Sequence, residues 1–105
     1  MSINQPPIEI QPEAAALALR PIGVRDYSVL DGGQQIGRIR YASERSPGVW
    51  LWHVQVHITG SLPVGTAGSL DAAKADFKSA WLAFKARQTP EKLAKAYAAR
   101  NLRKS

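Results

Sequence analysis

The ten residues from Val49 to Ile58, VWLWHVQVHI, constrain this chain more than any other stretch. Trp50, Trp52, Val54, Val56 and Ile58 occupy every second position, and a strand sends alternate side chains to opposite faces. Residues 50–58 therefore read as a strand with one apolar face and with Leu51, His53, Gln55 and His57 on the other. About a dozen residues later the period becomes helical, with Leu70, Ala73, Phe77, Trp81 and Phe84 on one stripe. The two patterns predict a sheet covered by a helix, with Phe77, Trp81 and Phe84 resting on Trp50, Trp52 and Val54.

Residues 1–12 carry three Pro and two Gln and read as a flexible leader. Residues 13–19, EAAALAL, have high helix propensity and follow Pro12, which predicts a short helix stopped by Pro21. Residues 27–30 and 35–41 read as strands joined at Asp31-Gly32-Gly33, a tight-turn signal because Gly supplies positive φ. In the second of these, Ile39 and Tyr41 share one face, and Arg38 and Arg40 the other. Residues 42–48 turn the chain into strand 50–58, and residues 60–68, with three Gly and one Pro, read as a loop. Ser69 is placed to cap a helix running to about residue 87, with Asp71 in the first turn. Thr89-Pro90-Glu91 is a second helix start, giving a basic helix over 90–102. The expected architecture is α+β: a three-stranded antiparallel meander packed on one main helix, plus a C-terminal basic helix. The 105 residues suit one small domain over 13–105, with its core in 24–87.

Charge is unevenly placed. Residues 1–69 hold five Arg and five acids, whereas residues 70–105 hold nine Lys and Arg against Asp71, Asp76 and Glu91. The whole formal net charge of +6 thus falls in the C-terminal third, an electropositive end that attracts anionic partners. A solvated helical surface kept soluble by Lys produces the same pattern. The chain has no Cys, which removes disulfide and thiolate chemistry and fits a reducing, cytoplasmic setting. Met1 to Pro7 lacks the basic and apolar regions of a secretory signal, and no apolar run approaches the roughly 18 residues of a membrane span.

Gly37-Arg38-Ile39, the Trp50-x-Trp52 strand, the run Gly65-Thr66-Ala67-Gly68-Ser69-Leu70-Asp71-Ala72-Ala73-Lys74, and then Phe77 and Trp81 resemble a family of small bacterial proteins over about half the chain. That resemblance implies a fold and no activity. Gly65, Ser69, Ala72 and Ala73 also resemble the strand-to-helix transition of the AP2-type DNA-binding domain, three antiparallel strands on one helix with a Trp-bearing strand. The dense Arg and Gly run that opens that domain is absent here.

The open sheet face is the sharpest functional candidate. Arg38 and Arg40 are expected beside His53, Gln55 and His57, and a sheet of this kind can enter the major groove, where Arg reads guanine and Gln adenine. Lys74, Lys78 and Lys85 on the main helix, with Lys92, Lys95, Arg100 and Arg103 beyond it, are candidate phosphate contacts. An open antiparallel sheet needs a polar outer face in any case. Metal binding is not expected: His53 and His57 lie about 13 Å apart along a strand and cannot share an ion. Residues 60–66 lack the Lys of a phosphate loop. No Ser-His-acid grouping or nucleophile elbow exists, and Asp71 and Asp76 point to different sides of their helix, so neither an enzyme nor a cofactor is expected. The C-terminal helix offers mostly Ala opposite its Lys, which argues against a membrane role. The leading expectation is a small basic module that binds nucleic acid. The competing one is a module that pairs with another protein or with a second copy.

Overall fold

The computed structural model describes residues 17–104, with side chains to residue 102. Five strands run β1 (Leu17–Gly23), β2 (Asp26–Asp31), β3 (Gln34–Ala42), β4 (Val49–Val54) and β5 (Val64–Ala67). Helices α1 (Leu70–Ala86) and α2 (Pro90–Lys104) follow. The strands lie side by side in chain order, each antiparallel to the next. The α+β class and the meander are as expected, but the sheet has five strands instead of three. No helix among the described residues is long and apolar enough to cross a membrane.

Both additional strands fall where the sequence suggested something else. Leu17, Ala18 and Leu19 were expected to close a short helix over 13–19, whose residues 13–16 lie outside the described residues. They form β1 instead, paired with Asp31, Leu30 and Val29 of β2. Helix propensity alone holds a two-turn helix poorly, while pairing places Leu17 and Leu19 against the core. Pro21, expected to stop a helix, is tolerated because β1 is an edge strand. The expected loop 60–68 contains β5, which gives β4 a second partner. Gly65 suits this place, because a Cβ there would fall 2.5 Å from the Trp52 indole that lies over it.

The third expected strand, 50–58, ends at Val54. Gln55 still donates its N–H to Ile36 O, but Ile58 then bonds back to Val56 O in a tight turn and the chain leaves the sheet. The alternation of Trp52, Val54 and Val56 outlasts the pairing, because all three are buried.

Helix α1 begins as its sequence dictates: Ser69 Oγ accepts from the Ala72 N–H at 3.1 Å. Its Ala73, Phe77, Trp81 and Phe84 stripe is buried against Val29, Ile36, Ile39, Trp52 and Val54. Phe77 meets Trp52 edge-on at 6.0 Å and lies over Gly37. Trp50, expected beneath the stripe, is half-buried at the far end of the same sheet face, against Tyr41 at 5.3 Å and Tyr27 at 6.5 Å. Thr89 caps α2, its Oγ1 accepting from Lys92 N at 3.1 Å. α2 docks on the core through buried Ala96 and half-buried Leu93 and Tyr97.

Asp31 ties the layers together. One of its oxygens, Oδ2, accepts from Trp81 Nε1 at 2.8 Å and from Lys85 Nζ at 2.9 Å. The turn signal at Asp31-Gly32-Gly33 therefore does two things, since both glycines take positive φ while the aspartate pins α1 to β2.

Candidate functional site

Neither helix covers the sheet face opposite Ile39, Trp52 and Val54. Strand pairing lays two rows across it. The first is Arg20, Ser28, Arg38, His53 and Val64, one residue from each strand. The second is Asp26, Arg40, Leu51 and Thr66. Arg38 and Arg40 thus occupy the central strand, with His53 beside Arg38, as the alternation predicted. Neighbouring strands stand about 4.8 Å apart, so Arg20 and His53 bracket the centre at roughly 14 Å.

Arg38 is held by Asp26, its Nε donating to Oδ1 at 2.8 Å and its Nη2 to Oδ2 at 2.5 Å. This fork keeps the Asp26 carboxyl below its usual range and raises the Arg38 guanidinium. Arg40 pairs with the exposed Glu44 at 3.2 Å, a contact that solvent largely screens. His53 is held below its ordinary value, first by burial and then by the Arg38 and Arg40 charges. Among the described residues Arg20 has no ion pair.

The expected contact residues divide between the two sides of the sheet. Arg38, Arg40 and His53 share the open face. Gln55 lies just past the end of β4. His57 has left the sheet and lines a hollow with Thr59, Lys92 and Lys95. Lys74, Lys78 and Lys85 belong to α1, on the other side, and Lys85 is already closed on Asp31. Arg100 is half-buried in α2, its Nε without a hydrogen-bond partner among the described residues. The Arg103 side chain lies outside the described residues. A ligand on the open face therefore has the sheet between itself and the α1 lysines.

Sequence reasoning missed Arg20 and Asp26. Arg20 alternates with Leu17 and Leu19, a signal that the helix-like composition of 13–19 hid. Asp26 needed the β2–β3 register, which no local pattern carries. Comparisons with protein families, with curated proteins and with solved structures find no match to this chain.

Proposed function

We propose that the protein binds nucleic acid through its open sheet face, by contact with the phosphate backbone. The observation that carries this reading is the placing of Arg38, Arg40 and His53 at adjoining positions, with Arg20 across Ser28 from Arg38, on a face that no helix among the described residues covers. Two features favour backbone contact over base readout. Arg38 has given its fork to Asp26, so that fork does not meet guanine. A five-stranded face is about 19 Å wide, too broad to enter a major groove of about 12 Å. The lysines of α1 and α2 make the field around the molecule positive and speed the approach of a polyanion without touching the same strand.

The test is a mobility-shift titration of duplex and single-stranded DNA over a range of salt. Binding that weakens as salt rises, with a slope reduced by about 2 in R38Q/R40Q, supports the reading. No retention at low salt, or equal affinity in R38Q/R40Q, removes it. A second reading, pairing with another copy through the same face, rests on Leu51 and on Val64, which is 69% exposed. Light scattering that reports a dimer, abolished by Val64→Lys, would favour it.

A further inference from the structure

Helix α1 lies over β4 and β5 and reaches β3 through Phe77. It leaves a hollow of about 290 Å³ over β1 and β2 on the helix side. The walls are Leu17, Leu19, Val29, Ile39 and Phe77, all apolar, and two cations, Lys74 and Lys78, stand at the rim.

The rim has a counterpart within the molecule. Lys74, Lys78 and Lys85 follow one flank of α1, spaced four and seven residues apart. At the last of them the sheet supplies a carboxylate, and Lys85 closes on Asp31 at 2.9 Å. Leu17 stands opposite that Asp31, and further back along the same face the sheet offers Val29 and Leu19, and no acid. Lys78 accordingly forms no ion pair among the described residues, and Lys74 has only the loose contact to exposed Asp71 at 3.8 Å. The hollow thus combines apolar walls with two ammonium groups that receive no carboxylate from the sheet, unlike Lys85 on the same flank.

We propose that this hollow binds a medium-chain carboxylic acid, the hydrocarbon lying against Leu17, Leu19, Val29 and Ile39 and the carboxylate between Lys74 and Lys78. The volume sets the size. About 290 Å³ lies near the small end of ligand pockets, which suits a ligand of roughly ten non-hydrogen atoms. Burying the chain supplies affinity that is not directional, and the lysines select a charged head over a neutral one. The inference is independent of the open face, which lies across the sheet.

Octanoate, with ten non-hydrogen atoms, is the probe. The full chain, labelled at its methyl carbons, is titrated with it by NMR below the micellar concentration. The Leu17, Leu19, Val29 and Ile39 methyls are expected to shift together and to saturate. 1-Octanol is expected to bind about tenfold more weakly, the scale of one lost charge contact. K74Q/K78Q is expected to lower octanoate affinity to the octanol level while leaving octanol unchanged. Leu19→Trp, which fills the hollow, is expected to abolish both, with a dispersed spectrum showing that the chain is folded. R38Q/R40Q is expected to leave octanoate binding intact whatever it does to DNA binding. The proposal is overturned if these methyls do not move, if octanoate binds K74Q/K78Q as tightly as the parent chain, or if the methyls shift with protein concentration alone, which would make a second copy the occupant.

Discussion

Trp81 and Asp31, fifty residues apart, share a 2.8 Å hydrogen bond that fixes α1 to the end of β2. The same carboxylate oxygen holds Lys85, so one side chain at a hairpin turn satisfies a buried indole N–H and an ammonium. Removing it leaves both without an acceptor. Asp31→Ala is expected to lower stability by about 1–3 kcal/mol, and Asp31→Asn, which keeps a carbonyl, by less. Urea denaturation of the two variants checks the order.

Gly37→Ala is expected to be costly although the backbone there is ordinary. A Cβ at this position would fall 2.5 Å from the His53 carbonyl oxygen and 2.6 Å from the Phe77 ring. One neighbour is backbone and the other a buried aromatic, so neither yields cheaply. The expected loss is about 1–3 kcal/mol, read from thermal or urea unfolding. Phe77→Ala empties the same contact from the other side and is expected to cost about 3–5 kcal/mol.

The Asp26–Arg38 pair makes stability depend on acid. Asp26 is held below its ordinary value of 3.8 in the folded chain, so the unfolded chain takes up its proton first as pH falls. The pair's contribution is whole above about pH 4 and disappears as pH drops through the folded value. Arg38→Gln is expected to flatten this part of the stability–pH curve and to leave the neutral region lowered but parallel.

His53 behaves in the same direction for a different reason. Burial, then Arg38 and Arg40, favour its neutral form, so its midpoint lies below 6.5. Its contribution is complete above that pH and weakens as pH falls below it. Ring-proton NMR is expected to show the low midpoint, a partial rise in R38Q/R40Q because burial persists, and a rise on binding duplex DNA, whose phosphates favour the imidazolium.

Local signals carried much of this. The α1 stripe, the Ser69 and Thr89 caps and the Asp31-Gly32-Gly33 turn rest on residues close in sequence, and each is where periodicity and capping chemistry place it. The meeting of Arg38, Arg40 and His53 was legible because their strands are consecutive and joined by a short connection. β5 was not legible: four residues reading Val-Gly-Thr-Ala, one of them Gly, show no usable alternation. β1 was hidden by Ala and Leu, whose intrinsic preference is helical and which yield to pairing with β2. The Asp26 fork depends on a register twelve residues apart, and the hollow under Lys74 and Lys78 depends on where a helix is not, which no segment encodes.

The indole of Trp52 occupies the space that any side chain at position 65 would need, and that fact ties the two sites into one unit of inheritance. A lineage that trades Gly65 for a larger residue while keeping the tryptophan must open β4 from β5. One that loses the tryptophan first opens a furrow that a substituent at 65 can then fill. Descendants of this chain should therefore carry the bulky and the empty partner together, or have exchanged both in that order.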